Sequence, residues 1–193
     1  MEVVRAFIAV PVDIKTVKLV SDLQETLKKS DADIKWVNPK NLHLTLLFLG
    51  DVMEDKLPDY YRVLEDCVHV SSFHLSFQGL GAFPDVKRPR VLWIGVKEGK
   101  DEMLQLAHLV KTSLWKAGFL EEKELKQKYS PHLTIGRVKS RDNLPELIKQ
   151  AKDNQDFCIG PQKISEIHFI KSQLARSGPI YSVLKKIQLK GLP

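Results

Sequence analysis

The sequence contains few cysteines and no long apolar run. Cys67 and Cys158 lie far apart, which excludes a disulfide scaffold and a cysteine-rich metal cluster, and fits a reducing cytoplasm. No stretch approaches 18 consecutive apolar residues, so no segment is predicted to span a membrane. The apolar run at residues 6–12 is short and lacks a small-residue cleavage site, so we interpret it as a buried strand and not as a signal peptide.

Common signatures of nucleotide and metal sites are also absent. There is no phosphate-binding loop of the Gly-x-x-x-x-Gly-Lys type, and Gly79-Leu80-Gly81 lacks the third glycine of a dinucleotide fingerprint. The sequence has no His-Glu-x-x-His, no Cys-x-x-Cys and no EF-hand loop. We therefore expect neither a metal nor another cofactor.

Length and charge limit the architecture and the partners. A chain of 193 residues is predicted to form one domain, or two small lobes packed closely together. Hydrophobic residues make up 43% and charged residues 28%, as in an ordinary globular protein. The 30 basic and 24 acidic residues give a net charge of +6, which favours an anionic partner such as nucleic acid or a phosphorylated metabolite. Many ordinary cytoplasmic proteins carry a similar charge, so charge alone does not decide between these partners.

Strand and helix patterns alternate with a similar rhythm in both halves of the chain. Helices are predicted at residues 13–29, 57–68, 103–118 and 144–151, and strands at residues 3–10, 34–37, 42–49, 73–77, 91–96, 132–138, 164–170 and 180–189. Residues 79–89 and 177–179 are predicted to be turns or loops. No linker separates the halves. These patterns predict an α+β fold of two lobes with mainly antiparallel sheets, in a single domain covering residues 1–193.

One short pattern occurs twice, once in each half. His43-Leu44-Thr45-Leu46 and His132-Leu133-Thr134-Ile135 both read His-x-Thr-x with apolar x, and both lie in predicted strands. Strand side chains alternate, so His and Thr share one face while the apolar residues point to the other. A single His-x-Thr is more often a structural polar face than a catalytic one. Two copies in matching apolar frames favour a cleft that holds two imidazoles and two hydroxyls.

Phosphodiester chemistry needs such a set of groups. One group must accept a proton from the attacking oxygen and another must donate a proton to the leaving oxygen, and histidine serves in either role near neutral pH. Threonine hydroxyls can donate hydrogen bonds to the phosphate oxygens. No carboxylate accompanies either motif, so a two-metal mechanism is not expected. The other histidines are expected to be surface or satisfied, partly buried residues; they are His69, His74, His108 and His168.

The segments around both motifs resemble the paired motifs of the 2H phosphoesterases, in particular the RNA 2′,3′-cyclic phosphodiesterase branch, historically called 2′-5′ RNA ligase. The likeness covers nearly the whole chain. The segments that carry it are Val4-Arg5-Ala6-Phe7-Ile8-Ala9-Val10, Asn41-Leu42-His43-Leu44-Thr45-Leu46-Leu47-Phe48-Leu49-Gly50, Gly79-Leu80-Gly81-Ala82-Phe83-Pro84, Arg88-Pro89-Arg90-Val91-Leu92-Trp93, Ser130-Pro131-His132-Leu133-Thr134-Ile135-Gly136-Arg137-Val138, Ser172-x-Leu174 and Gly178-Pro179-Ile180-Tyr181.

This resemblance implies a duplicated, bilobal fold with pseudo-two-fold symmetry and an active cleft between the lobes. It implies metal-independent hydrolysis of RNA 2′,3′-cyclic phosphate ends to 2′-phosphomonoesters. His43 would be the proton donor to the leaving 3′-oxygen and His132 the proton acceptor that activates water. Thr45 and Thr134 would hold the phosphate, and Arg137 matches a substrate-contacting position of the family.

The position of Arg137 conflicts with simple strand alternation. Arg137 is the fifth residue after His132, and this odd spacing places it on the opposite face of a regular strand. Either the strand ends or bulges near Gly136, or the side chain reaches around the sheet edge. A solvated arginine at the strand end is the alternative.

Three other functions use parts of the same pattern. The reverse reaction would join RNA ends through a 2′-5′ linkage, although abundant water favours hydrolysis. A non-catalytic RNA-binding module would stack bases on Trp36, Phe48 or Phe83, which we interpret instead as core aromatics. A small cyclic phosphate is a further candidate substrate. We expect a cytoplasmic monomer that acts on RNA ends, among them tRNA fragments, and that does not bind membranes.

Overall fold

The computed structural model describes residues 2–176 and 178–191, apart from the side chain of Cys67. Within these residues the chain forms nine strands and five α-helices. The strands are β1 Val3–Pro11, β2 Ile34–Trp36, β3 His43–Met53, β4 Phe73–Phe83, β5 Val91–Val96, β6 His132–Val138, β7 Cys158–Ile164, β8 Glu166–Ala175 and β9 Gly178–Gln188. The helices are α1 Ile14–Lys28, α2 Leu57–Cys67, α3 Lys100–Lys116, α4 Glu122–Leu125 and α5 Leu144–Asp153.

Two antiparallel sheets form the framework, and each takes strands from both halves of the chain. Sheet A has the order β3-β1-β8-β9, and sheet B has the order β2-β6-β5-β4-β7. Strands β8 and β9 from the end of the chain complete the sheet that β1 and β3 begin. Strands β2, β4 and β5 from the first half join β6 and β7 from the second half in sheet B. The α+β fold with two lobes is confirmed, and its lobes are interwoven.

The fold is duplicated. The arrangement β3-β1-β8-β9 in sheet A corresponds to β6-β5-β4-β7 in sheet B, with β2 added beside β6. A helix, α1 or α3, follows the second strand of each arrangement, but β8 and β9 are consecutive in the chain whereas β4 and β7 are not. The helices that follow β1 and β5 bury residues at the same spacing. The five matching positions are Thr16, Val20, Leu23, Gln24 and Leu27 in α1, and Met103, Ala107, Val110, Lys111 and Leu114 in α3, which buries Leu106 as well. Predicted pseudo-two-fold symmetry therefore holds at the level of single side chains.

Helices cover one face of each sheet. Helices α2 and α3 pack on sheet A, while α1 packs on sheet B and also contacts α5. Helix α1 begins as predicted, since the Asp13 carboxylate accepts a hydrogen bond from the backbone N–H of Thr16 at 2.6 Å. Ile14, the first residue of the helix, is exposed. No helix of the described residues has the length and apolar character needed to cross a membrane.

Several local predictions need correction. Residues 79–83 continue strand β4, because Gly79 adopts a positive φ of 77° and lets the strand change register between Gln78 and Leu80. Strand β7 was not predicted. A Gly-Pro pair such as Gly160-Pro161 is typical of a turn and not of a strand. Strand β7 accommodates it because β7 lies at the edge of the sheet, where proline is tolerated.

The strands near the end of the chain also differ from the prediction. The predicted strand 164–170 is divided, since Ile164 ends β7 and Glu166 begins β8. Gly178 and Pro179 belong to β9 and not to a loop, and Ser177 lies outside the described residues.

Candidate active site

A cleft of about 1120 Å³ opens between the two sheets, on the faces that the helices leave uncovered. Its lining includes all five side chains singled out in the sequence, which are His43, Thr45, His132, Thr134 and Arg137. The neighbouring Leu44 and Leu133 are fully buried, so the alternation predicted for both His-x-Thr motifs is present. The cleft exceeds the roughly 300–1,000 Å³ typical of small-molecule pockets, so it has room for a larger ligand.

Both histidines are held in the same way. The Nδ1 atom of His43 lies 2.6 Å from the carbonyl oxygen of Asn41, and Nδ1 of His132 lies 2.7 Å from the carbonyl oxygen of Ser130. A carbonyl oxygen only accepts, so each Nδ1 carries a proton and donates it. The Nε2 atom of each ring can therefore accept a proton when the ring is neutral and donate one when the ring is protonated.

The hydroxyl of Thr45 lies beside the first imidazole. Its Oγ1 is 3.0 Å from Nε2 of His43, and because Nδ1 holds the proton of the neutral ring, the hydroxyl donates to Nε2 in that state. When the ring is protonated the direction reverses, since Nε2–H then donates to the hydroxyl oxygen. Thr134 takes the matching position two residues after His132 and also lines the cleft.

A bulge in each motif strand changes which side chain faces the cleft. In β6, Thr134 pairs with Trp93 and Gly136 pairs with Leu92, so Ile135 is an extra residue. The alternation of buried and exposed side chains along β6 therefore shifts by one residue, and Arg137 lies on the same face as His132 and Thr134. The bulge near Gly136 is thus the alternative that holds, and Arg137 does not need to reach around the sheet edge.

Strand β3 carries the equivalent bulge at Leu46, because Thr45 pairs with Ala9 and Leu47 pairs with Ile8. Phe48 then takes the position that Arg137 has in the other lobe, and 66% of its side chain is exposed in the cleft. The interpretation of Phe48 as a core aromatic is therefore wrong. An apolar ring faces the cleft on one side, and a guanidinium faces it on the other.

The other two aromatics singled out in the sequence also reach the cleft. Trp36 is half-buried against the main core, in line with the expectation, but part of it lines the cleft. Phe83 does not join the core and packs edge-on against His132, with ring centroids 4.9 Å apart. Phe83 is thus a wall of the site, and its interpretation as a core residue needs correction.

Burial lowers the pKa of His43. Loss of water around the ring disfavours its charged form, the hydrogen bond to the Asn41 carbonyl opposes this, and the nearby charge of His132 lowers the pKa further. The interaction with His132 indicates that the two imidazoles are electrostatically coupled across the cleft.

Tyr181 and Asn41 also line the cleft, and the sequence did not indicate a role for either side chain. Tyr181 packs edge-on against His43 and against Phe7, with centroid distances of 5.4 and 5.0 Å. Burial raises the pKa of Tyr181, while the charge of Arg137, which lines the same cleft, acts in the opposite direction. The Asn41 side chain donates to the carbonyl of Pro179 at 2.9 Å, which fixes the β9 strand beside His43. Only the Gly178-Pro179-Ile180-Tyr181 segment could have indicated Tyr181.

The charge around the cleft is mainly positive. Among the residues that the structure describes, one acidic side chain, Glu124, lines it. The cationic lining residues are Arg5, Lys35, Lys40, Lys111, Lys128 and Arg137. Within the same described set, no group of three or more His, Cys, Asp or Glu side chains is arranged to hold a metal ion. The cleft therefore presents donors and cations suited to an anionic ligand.

The remaining histidines lie as expected. His69, His74 and His108 are exposed. His168 is 8% exposed, and its Nε2 lies 2.7 Å from the carboxylate of Glu166. It is a satisfied, buried histidine that does not line the cleft.

Comparison with known proteins places the chain in a family. Residues 6–189 match the family model described as the AKAP7 2′5′ RNA ligase-like domain. The match covers nearly the whole chain, including both His-x-Thr motifs. The chain belongs to this 2′-5′ RNA ligase-like family of the 2H phosphoesterases.

Individual relatives agree with this assignment. The chain is 40% identical to the RNA 2′,3′-cyclic phosphodiesterase of Methanothermobacter thermautotrophicus, over 96% of this chain and 99% of that protein. It is 37% identical to the protein of the same name from Aquifex aeolicus, over 99% of this chain and 100% of that protein. The solved structure of TT0787 from Thermus thermophilus is 26% identical, covers 97% of this chain and 98% of its own, and has a TM-score of 0.80.

Proposed function

We propose that this protein hydrolyses RNA 2′,3′-cyclic phosphate ends to 2′-phosphomonoesters. The names of the relatives support this activity. The observation that carries the proposal is the matching geometry of His43 and His132, which are held at Nδ1 by a backbone carbonyl and present Nε2 to one cleft. A cyclic phosphodiester needs one group on each side of phosphorus, and this arrangement provides one from each lobe.

His43 and His132 have different roles in the proposed reaction. Neutral His132 accepts a proton at Nε2 from water while the water oxygen forms a bond to phosphorus. The bond between phosphorus and the 3′-oxygen breaks, and protonated His43 donates its Nε2 proton to that oxygen. The products are a 2′-phosphomonoester and a 3′-hydroxyl. Proton exchange with solvent then restores both rings.

Thr45, Thr134 and Arg137 bind the phosphate in this proposal. The two hydroxyls donate to non-bridging oxygens, and the guanidinium neutralises negative charge that increases in the transition state. Thr45 also contacts Nε2 of His43, which fixes the imidazole relative to the bound phosphate. The five side chains together supply a base, an acid and an anion-binding set.

We also propose that the reaction needs no metal. Acid, base and charge stabilisation are all provided by side chains that line the cleft, so no step is left for a Lewis acid. The cleft is complete within a single chain, which supports a monomer as the active form. RNA fragments, among them tRNA fragments, carry the reactive group and suit the cationic lining, and the isolated cysteines fit action in the cytoplasm.

The proposal is tested with a short RNA that ends in a 2′,3′-cyclic phosphate, incubated with the protein in the presence of EDTA. We expect conversion to a 2′-phosphate at the same rate as without the chelator. Activity that disappears in EDTA and returns with a divalent ion would contradict the metal-independent mechanism. A 3′-phosphate product would contradict the assigned leaving group.

A further inference from the structure

The bulge that directs Arg137 into the cleft is held by a buried glutamine. We propose that Gln24 of helix α1 is a positioning residue for Arg137 and acts through the backbone of Ile135. This inference rests on the proposed function, because Arg137 is taken as a phosphate-binding residue. Gln24 itself does not line the cleft.

The contacts of Gln24 explain how the bulge is stabilised. On the β5 side Ile135 has no partner residue, because the ladder passes from Thr134 directly to Gly136. Its carbonyl oxygen instead accepts two hydrogen bonds, from Val37 N–H at 3.0 Å and from Nε2 of Gln24 at 2.9 Å. The same Nε2 also donates to the carbonyl of Val37 at 2.9 Å. One amide group thus joins helix α1, the segment after β2 and the bulged residue.

Gln24 is deeply buried, which makes these bonds costly to lose. It is 3% exposed, and it lies on the buried face of α1 beside Val20, Leu23 and Leu27. Without Gln24 the Ile135 carbonyl would keep only the bond from Val37 N–H, and the Val37 carbonyl would lose the amide donor. That loss carries a desolvation cost, so the backbone around Val37 and Ile135 would rearrange to find another partner. Any shift of Ile135 changes the direction of Arg137 two residues later. Gly136 transmits that shift directly, because Ile34 and Trp36 pack so close that a Cβ there would lie 2.8 Å from the Ile34 side chain.

Lys111 provides a natural comparison, because it has the equivalent position in α3. It is 6% exposed, and its Nζ donates to the carbonyl of Gln127 at 2.7 Å, as Gln24 donates to Val37. The β3 bulge on that side directs Phe48 and not a charged residue into the cleft. Lys111 also lines the cleft, so its replacement can change kcat/KM by itself, but its hydrogen bond goes to Gln127 and not to the strand of Arg137, so its effect should be independent of Arg137.

A double-mutant cycle tests the inference. Gln24→Met keeps the length of the side chain and removes the donor. We expect Gln24→Met to lower kcat/KM for 2′,3′-cyclic AMP roughly threefold to tenfold, and Arg137→Ala to lower it about tenfold or more. The double variant should be no worse than Arg137→Ala, because the effect of Gln24 passes through that guanidinium. Lys111→Met combined with Arg137→Ala should show the product of the two single effects.

Further variants separate positioning from general stability. Gln24→Lys places the donor of the equivalent α3 position at this site and should recover most of the loss. If Gln24→Met does not fold, Gln24→Asn, which shortens the amide, replaces it in the cycle. Independent effects of Gln24 and Arg137, or a Gln24→Met protein with unchanged kcat/KM, would overturn the inference. If wild-type protein does not hydrolyse the cyclic nucleotide, the proposed function fails, and the same cycle measured as Kd for 2′-AMP decides the positioning role by itself.

Discussion

The lowered pKa of His43 has a direct consequence for pH dependence. As the proposed acid, His43 must be protonated, and the protonated fraction falls as pH rises through its pKa. Burial lowers that pKa below the ordinary value, so kcat/KM, which reports the free enzyme, should decline on the alkaline side from an unusually low pH. A bound phosphate anion favours the charged ring. The alkaline decline of kcat, which reports the enzyme–substrate complex, should therefore lie at a higher pH than that of kcat/KM. Rate measurements over pH 4–9, a range of about two and a half units around the ordinary histidine pKa of about 6.5, give both profiles.

Variants of the two histidines test their separate roles in that profile. His43→Ala should lose the alkaline limb and His132→Ala the acidic limb, although the limbs of the wild type belong to the coupled pair. A substrate with a better leaving group should rescue only His43→Ala. The opposite rescue would exchange the donor and acceptor assignments. Alkaline declines of kcat and kcat/KM at the same pH would contradict the effect assigned to the bound phosphate.

Phe48 offers the cleft an exposed aromatic surface in the position where the other lobe has Arg137. We expect a base of the substrate to stack on it, so Phe48→Ala should raise KM for 2′,3′-cyclic AMP by the equivalent of about 1–3 kcal/mol and Phe48→Trp should restore it. Trp115 is a matched control, since it is an exposed aromatic on α3 that does not line the cleft. A Trp115→Ala effect as large as that of Phe48→Ala would mean that aromatic loss acts through stability.

At the scale of single elements, strand periodicity predicted most of the fold and the four motif side chains of the site. The alternation of His43, Leu44 and Thr45 is local, so it can be read without knowing which strand pairs with which. The bulges at Leu46 and Ile135 cannot be predicted in this way, because an extra residue is defined only relative to the partner strand. The sequence alone therefore does not decide which face the Arg137 side chain takes, and it predicts Phe48, which lies within an apolar run, to be a core residue.

The same limit explains Gln24. Its spacing from Val20 and Leu27 places it on the buried face of α1, but helix periodicity gives no reason for a polar residue there. The reason is a carbonyl on β6, far away in the sequence, that requires a donor. Strand β7 was missed for a comparable reason, since the position at the sheet edge that permits Gly160-Pro161 follows only from the complete sheet.

At the scale of the whole molecule, the exchange of strands between the halves predicts one folding unit. Sheet A lacks β8 and β9 without the second half, and sheet B lacks β2, β4 and β5 without the first. Denaturation by urea, followed by tryptophan fluorescence and by far-UV circular dichroism, should therefore give coincident single transitions. Residues 1–97 alone should not fold. Two separated transitions, or a folded fragment, would contradict the assignment of residues 1–193 to a single domain.

The distribution of charge around the cleft predicts how salt affects binding. If the cationic lining contacts the phosphates of an RNA strand, the logarithm of affinity should fall with the logarithm of salt concentration by about 0.7 for each phosphate neutralised. A cyclic mononucleotide releases few counterions, so its affinity should depend on salt much less than that of an oligonucleotide. Lys128→Ala should reduce the slope for the oligonucleotide by about one contact, whereas Lys15→Ala, at an exposed position of α1 outside the cleft, should leave it unchanged. Equal slopes for both ligands would mean that the excess of positive charge does not guide RNA, and would favour a small cyclic phosphate as the substrate.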